Sequence, residues 1–246
     1  MGTRSKRAHR CAKCRMHVQD CLCELIPIVE LTTRVVVVMH HREWSKPTAS
    51  AALFTQASPT SEIRLRGRKD VPFDATGIVT AKRRTLLLYP CDDAHVLSSA
   101  FLAQDPRPIT LVVPDGSWRQ ASKSTTREPA LQELPRVTLP DMGPTRYQLR
   151  HEPKAGGLST FEAIARALRI IEGEEVYQAL EKLFNTMVER TLATRGNQGN
   201  QGNQGNQGNQ GNQGNQGNQS NLGNLSNQSN QSNQGNQSNL SNLDNV

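Results

Sequence analysis

Three largely apolar segments divide the first half of the chain, at residues 34–39, 85–89 and 109–113. Each is rich in valine, isoleucine or leucine and is too short for a buried helix, so each predicts a strand that is buried on both faces. A turn rich in proline, glycine or aspartate follows, and helical patterns come next at residues 47–53, 94–102 and 118–124. Repeated strand–turn–helix units of this kind predict an α/β fold with a parallel sheet.

Three further elements are predicted from local patterns. Arginines alternate with other residues over 63–69, which predicts a half-exposed strand with a basic face. A helix opens within residues 158–163, where Ser159 or Thr160 can cap the first turn and Glu162 offsets the helix dipole. A final helix is expected over residues 174–194, where apolar and charged residues alternate at helical spacing.

Ligands of parallel α/β sheets bind beyond the carboxyl ends of the strands. The segments expected there are residues 40–50, 89–93 and 114–118. Trp118 either stacks on a base or packs in the core. Cys91 stands beside two aspartates, which would raise its pKa, so it does not predict a nucleophile.

Four of the five cysteines lie within thirteen residues, and residues 11–23 are called the knuckle below. A closed set of four thiolates is typical of a structural zinc ion, which would be held by Cys11, Cys14, Cys21 and Cys23. Arginines and lysines flank these cysteines and suit phosphate contacts, although a solvated charged face is an alternative interpretation.

The chain has a net charge of +7, which favours an anionic partner, with nucleic acid the first candidate. No apolar segment has the length of a membrane span and the N-terminus has no secretory h-region, so we expect a cytoplasmic protein with reduced thiols. Residues 197–246 repeat Gly-Asn-Gln and Ser-Asn-Gln and are expected to be disordered. The predicted organisation is a basic arm and knuckle (1–25), an α/β catalytic domain (26–196) and this tail (197–246).

The order of the motifs over about residues 10–190 resembles the DTW-domain family, the tRNA-uridine aminocarboxypropyltransferases. The motifs that carry the resemblance, after the cysteines, are Lys-Pro-Thr-Ala-Ser (46–50), Leu-Tyr-Pro-Cys-Asp-Asp-Ala (88–94), Asp-Gly-Ser-Trp-Arg-Gln-Ala (115–121), Tyr-Gln-Leu-Arg (147–150) and Leu-Ser-Thr-Phe-Glu-Ala (158–163). The resemblance implies a SPOUT-like, knotted α/β fold and S-adenosylmethionine as donor. It also implies transfer of the 3-amino-3-carboxypropyl group to N3 of a tRNA uridine.

Within that resemblance, site residues are assigned as hypotheses. Uridine N3 must lose a proton, so Asp115 is the candidate base or orienting group and Trp118 a stacking residue. Lys46, Arg119 and Arg150 are candidate contacts for phosphate or carboxylate. The candidate cofactor residues are Leu88, Tyr89, Pro90, Asp115, Gly116, Leu158, Ser159, Thr160 and Glu162.

Three positions depart from the family pattern. Ala49 stands where the family usually has asparagine, Ser117 replaces a threonine, and Cys91 replaces a serine or glycine. Three alternatives therefore stay open: an RNA methyltransferase of related fold, a non-catalytic zinc-knuckle RNA-binding protein, and a related enzyme that acts on ribosomal RNA. The sequence does not fix the oligomeric state or the uridine position.

Overall fold

The computed structural model of the chain describes residues 9–46, 49–147, 149 and 157–203, with the backbone alone for residues 196–203. All of these residues lie within one compact unit, Met1–Gln204. The predicted disordered tail therefore lies outside the described residues from position 204 onward.

Six strands form one sheet in which every neighbouring pair is parallel, as the sequence predicts. The order across the sheet is β2-β1-β5-β3-β6-β4. The register places Val37 beside Val113 and Leu86 beside Leu111, so the three predicted apolar segments are the three central strands. The strands are β1 (Arg34–His40), β2 (Glu62–Arg66), β3 (Arg84–Leu88), β4 (His95–Val96), β5 (Ile109–Asp115) and β6 (Arg136–Thr138).

Within the described residues, six α-helices accompany the sheet. Pro129 at the start of the short helix α4 has the fixed φ that suits a first helical turn. The bounds are α1 (Ala51–Ala57), α2 (Ser99–Leu102), α3 (Trp118–Arg127), α4 (Pro129–Gln132), α5 (Thr160–Ile171) and α6 (Glu174–Asn203).

Both faces of the sheet are covered, which is why its central strands are continuously apolar. Val35 and Val37 point to one face and join a core that includes Phe54, Phe161 and Phe184, contributed by α1, α5 and α6. The alternate residues of β1, Val36 and Val38, pack on the other face with Ile78, Leu131 and Leu134. The knuckle belongs to the first of these cores, because its Met16 and Leu22 are buried in it.

The prediction of a basic, half-exposed face on the strand over residues 63–69 was wrong. Arg66 is only 7% exposed, whereas Leu65 is 38% exposed. Arg66 forms an ion pair with Glu128, with 2.7 Å between Nη2 and Oε1, and its Nη1 donates to Ser124 Oγ over 3.2 Å. The alternating sequence pattern indicates which residues share a face of β2. It does not reveal that Glu128, at the end of α3, pairs with Arg66 on that face.

Replacing Arg66 by methionine is expected to lower the free energy of unfolding by about 3 kcal/mol, because the largely buried Glu128 carboxylate would lose its cation. The matched control is Arg68→Met, which removes a 52% exposed side chain 3.7 Å from Asp70 and should cost about 0.5 kcal/mol or less. Urea unfolding of the two variants measures the difference. Equal losses of stability would contradict the assignment of Arg66 as a buried pair.

The helix predicted over residues 94–102 is also only partly present. His95 and Val96 form the edge strand β4 beside β6, and the helix α2 is confined to Ser99–Leu102. Ser98 ends the strand and caps the helix, with its hydroxyl accepting from the Phe101 N–H. Pairing with β6 gives His95 and Val96 hydrogen bonds that local helical propensity does not reveal.

The last helix extends beyond its predicted end at residue 194. α6 continues to Asn203, through the first repeats of the Gly-Asn-Gln segment. Glycine and asparagine are poor helix formers, but extending an existing helix costs much less than starting one. None of the helices in the described ranges combines the length and apolar character needed to cross a bilayer.

Candidate active site and cysteine cluster

A cavity of about 480 Å³ opens at the carboxyl ends of β1, β3 and β5. The three segments that the sequence places there, after each of these strands, all contribute to its wall. The end of β6 and the loop after it, residues 138–143, also form part of the wall, although no local pattern predicts this. The predicted site residues that line the cavity are Leu88, Tyr89, Pro90, Asp115, Gly116, Trp118, Leu158, Ser159 and Thr160.

The turn between β5 and α3 places Asp115 and Trp118 at the cavity. Ser117 caps α3 in a capping box: its hydroxyl accepts from the Gln120 N–H, and its own N–H donates to Gln120 Oε1 over 2.7 Å. A side chain at Gly116 would place Cβ 2.8 Å from Gln120 Oε1, and the φ of +151° also disfavours other residues. Glycine is therefore required where the strand turns sharply into the helix.

The N-terminus of α5 meets the end of β5 at the same cavity. Ser159 caps α5, as the sequence allows, and its hydroxyl accepts from the Glu162 N–H over 3.2 Å. The Thr160 hydroxyl donates to Asp115 Oδ1, and the Phe161 N–H donates to Ser50 Oγ. These contacts join residues far apart in sequence, so the orientation of the buried Asp115 carboxylate depends on α5 as well as on β5.

Glu162 lies outside the described lining of the cavity. It is 5% exposed, and its carboxylate accepts from the Thr145 hydroxyl over 2.7 Å and from the Arg146 N–H over 2.8 Å. Arg166, on the next turn of α5, donates to the carbonyls of Gly143 and Pro144. Glu162 and Arg166 therefore hold the loop that forms one wall of the cavity.

A Glu162→Gln variant is expected to unfold at a lower urea concentration, with a loss of about 3 kcal/mol. The change leaves the buried Arg166 guanidinium without the nearby carboxylate, 3.7 Å away. The matched control is Glu174→Gln, because Glu174 pairs with Arg169 at the surface and such pairs contribute about 0.5 kcal/mol. If both variants lose the same stability, Glu162 does not hold the loop.

The three predicted cationic contacts have different positions. Lys46 is half-exposed and its Nζ lies 2.6 Å from Glu43 Oε1. Arg119 is exposed on α3, outside the described lining of the cavity. Arg150 lies outside the described residues.

Glu43 is a site residue that the sequence reasoning missed. It is 3% exposed, it lines the cavity, and its partner Lys46 reaches towards solvent. Glu43 follows β1 by three residues and lies within the segment 40–50 expected at the strand ends, so the positional rule that indicates Asp115 at the end of β5 could have singled it out.

The three positions that depart from the family pattern differ in their distance from the cavity: two line it and one does not. Ala49, which is 8% exposed, and Ser117 line the cavity. Cys91 lies outside the described lining, and burial together with a hydrogen bond to Asp93 raises the pKa of its thiol. A raised pKa keeps Cys91 protonated at neutral pH, in agreement with the expectation that it is not a nucleophile.

The clustering of the four knuckle cysteines is confirmed. The sulfurs of Cys11, Cys14, Cys21 and Cys23 all lie within 4.8 Å of one another, and the closest pairs are 3.5 and 3.6 Å apart. Sulfurs at the corners of a tetrahedral zinc site lie about 3.8 Å apart, given Zn–S bonds of about 2.3 Å. The donor set and its spacing therefore fit a zinc ion.

Without a metal ion, the knuckle thiols differ in how readily they lose their protons. Backbone hydrogen bonds lower the pKa of Cys11 to about 6, whereas desolvation beside the other thiols raises the pKa of Cys23 to about 12. At neutral pH these groups would not all be thiolates by themselves. A metal ion supplies the positive charge that four thiolates require.

The knuckle is fastened to α6. Arg190 donates to the Cys21 carbonyl over 2.6 Å, and the Thr194 hydroxyl donates to Asp20 over 2.6 Å. Gln56, at the end of α1, donates to the Lys13 carbonyl. The cysteine cluster therefore fixes one end of the domain rather than forming an independent module.

Comparison with known proteins matches the DTW domain over residues 8–192. The chain is 30% identical to tRNA-uridine aminocarboxypropyltransferase 2 of Drosophila melanogaster over 194 residues, which are 76% of each chain. It is 27% identical to the Macaca fascicularis protein of the same name over 71% of this chain and 60% of that one. It is also 27% identical to tRNA-uridine aminocarboxypropyltransferase A of Arabidopsis thaliana, over 72% of this chain and 79% of that one.

No solved structure gives a significant match to the chain. The resemblance that the motifs indicate is confirmed by the domain match, which covers the knuckle, the sheet and most of α6. The chain therefore belongs to the DTW-domain family and is a transferase, like the relatives that it matches.

Proposed function

We propose that this protein transfers the 3-amino-3-carboxypropyl group from S-adenosylmethionine to N3 of a uridine in tRNA. The observation that carries the proposal is the cavity at the strand ends, to which five separate family motifs contribute residues. The names of the relatives from fly, monkey and plant support tRNA uridine as the acceptor.

The cavity suits a donor with the size and charges of S-adenosylmethionine. Its volume of about 480 Å³ falls within the range of small-molecule sites. The N-termini of α3 and α5 meet there, and their positive dipole ends favour a carboxylate. Two buried carboxylates, Glu43 and Asp115, offset the positive charges of a sulfonium and an ammonium group.

When bound, S-adenosylmethionine supplies an electrophilic carbon beside its sulfonium, and methylthioadenosine is the leaving group. The side chains of this chain have the remaining tasks. Asp115 accepts the proton of uridine N3 or orients the base for its loss, and the Thr160 hydroxyl holds Asp115 Oδ1 in place. Trp118, at the start of α3, offers a surface on which the adenine or the uridine stacks.

The cationic residues are assigned to the RNA and to the donor carboxylate. Lys46 reaches out from Glu43 at the cavity and Arg119 is exposed on α3, which supports their assignment to phosphate contacts. Arg150, the last residue of the Tyr-Gln-Leu-Arg motif, is the third cation that we expect to contact a phosphate or the donor carboxylate. The target uridine must be unpaired, because N3 lies on its Watson–Crick edge.

Two structural details belong to the same proposal. The metal of the knuckle is zinc, with four thiolate ligands and no open position for chemistry. A knotted chain path of the SPOUT kind is part of the proposal because the resemblance of the motifs to the DTW-domain family implies it. An experimental structure that traces residues 150–156 tests the knot.

The by-product of the reaction tests the proposed function. Purified protein is incubated with S-adenosylmethionine and an unmodified tRNA transcript, and the small molecules are separated by chromatography. Aminocarboxypropyl transfer releases methylthioadenosine, with 3-(3-amino-3-carboxypropyl)uridine in the digested RNA. Release of S-adenosylhomocysteine would instead identify a methyltransferase, and release of neither product from a protein that binds the tRNA would identify a binding protein.

A further inference from the structure

Trp44 is an exposed aromatic residue beside the candidate active site. It is 43% exposed and directly follows Glu43, which lines the cavity. The guanidinium carbon of Arg15, from the knuckle, lies 4.2 Å from the centre of the Trp44 ring. Arg15 Nη1 also donates to the Trp44 carbonyl over 2.5 Å. The pair therefore joins the knuckle to the loop after β1.

The backbone of the knuckle holds Arg15 in this position. Arg15 has a φ of +63°, a left-handed conformation that residues other than glycine rarely adopt. Its N–H donates to the Cys11 carbonyl over 2.9 Å, and its carbonyl accepts from Arg10 Nη1 over 3.1 Å. An uncommon conformation held from both sides indicates that the direction of the Arg15 side chain is fixed by the cysteine turn.

The charge around Trp44 is positive. Arg10, Lys13, Arg42 and Lys46 are all exposed and lie within the two segments that meet here, residues 9–15 and 40–46. Glu43 is the single acid in these two segments, and it is buried and paired with Lys46. A face of this composition attracts polyanions.

A second arginine–aromatic pair shows what a purely structural pair looks like in this fold. Arg169 lies 4.8 Å from the centre of the Tyr177 ring. There, Glu174 pairs with the arginine, and Glu181 accepts from the tyrosine hydroxyl. Among the described residues, the Arg15 side chain donates to a carbonyl rather than to a carboxylate, so its charge is not neutralised in this way.

We propose that Arg15 and Trp44 form a platform on which an unpaired base of the RNA substrate stacks, while Arg10, Lys13 and Arg42 contact the neighbouring phosphates. Exposed aromatic rings interleaved with cations are the chemistry by which proteins bind single-stranded RNA. The identity of the RNA as tRNA rests on the proposed function. Stacking on Trp44 would hold an unpaired segment next to the cavity where its uridine reacts.

The test compares RNA affinities of full-length variants by fluorescence anisotropy. Two labelled probes are used, an unmodified tRNA transcript and a single-stranded oligouridine. Trp44→Leu keeps an apolar side chain but removes the π-face, and it is expected to weaken both complexes about tenfold. Trp44→Phe should stay within about threefold of the unchanged protein, because it keeps an aromatic ring. Lys13→Gln should reduce the slope of log affinity against log salt by about one, because it removes one of the proposed phosphate contacts.

Tyr177→Leu is the matched control, because it also removes an aromatic ring that stacks with an arginine, here Arg169, whose charge Glu174 neutralises. The RNA affinity of this variant should equal that of the unchanged protein. Calorimetry with S-adenosylmethionine should give the same affinity for Trp44→Leu as for the unchanged protein, which also shows that the variant folds. A Trp44→Leu variant that binds both RNAs normally overturns the platform, as does one that loses S-adenosylmethionine binding.

The same probes separate this proposal from the proposed function. If the unchanged protein binds oligouridine through Trp44 but does not bind tRNA, the platform stands and tRNA is not the substrate. If it binds neither RNA, both proposals fail. If tRNA binds and is modified equally well by Trp44→Leu, the proposed function stands and the platform fails.

Discussion

Replacing Asp115 by asparagine is expected to lower kcat about a thousandfold, with the affinity for tRNA little changed. General base catalysis typically contributes two to four orders of magnitude, and the amide of asparagine does not accept a proton at neutral pH. Asparagine has the size of aspartate and still accepts a hydrogen bond from the Thr160 hydroxyl, so the turn at Gly116 should be retained. Steady-state kinetics with saturating tRNA measures the effect.

Asp93→Asn is the matched control for this change. Asp93 also follows a strand of the sheet, but its side chain is 72% exposed and pairs with Arg136 rather than lining the cavity. Its kcat should be the same as that of the unchanged protein. An Asp115→Asn variant that retains more than a tenth of the activity would show that Asp115 is not the base.

Replacing Cys14 by serine is expected to remove the bound zinc and to lower the melting temperature by at least about 10 °C. A structural zinc ion contributes about 10 kcal/mol or more to the folding of small zinc domains, and for a chain of this size each kcal/mol is worth about 2–4 °C. Cys14 is 7% exposed, and its sulfur accepts from the Leu22 N–H. Met16 and Leu22 belong to the main core, so loss of the knuckle should also lower the stability of the α/β domain.

The control is Cys91→Ser, because Cys91 is the one cysteine outside the cluster in the described part of the chain. It should keep one zinc per chain and a nearly unchanged melting temperature. Zinc content by elemental analysis and thermal unfolding are measured on both variants. A Cys14→Ser variant that keeps its zinc and its melting temperature would contradict a four-cysteine structural site.

The sheet and the position of the cavity were predictable because they depend on local patterns. The continuous apolar segments of β1, β3 and β5 indicate burial on both faces, and the turns after parallel strands must meet at one edge of the sheet. The sequence predicts that Ser159 or Thr160 caps α5, and Ser159 does so, in a capping box with Glu162.

What the sequence did not reveal depends on contacts between distant residues. Arg66 is buried because Glu128, far along the chain, pairs with it. His95 and Val96 form a strand because β6 offers an edge. Glu162 turns away from the cavity because Thr145 and Arg146 bind its carboxylate. No local pattern contains these partners, so propensity alone could not place these residues.

The proposed chemistry is tested most directly by identifying which group of S-adenosylmethionine is transferred to the RNA. Two samples of S-adenosylmethionine, one labelled in the carboxyl carbon and one in the methyl carbon, are each incubated with the purified protein and unmodified tRNA. We expect the carboxyl label in the RNA without the methyl label, since the whole aminocarboxypropyl chain is transferred and the methyl group leaves with methylthioadenosine. Methyl label in the RNA without carboxyl label would contradict the proposed function and identify a methyltransferase.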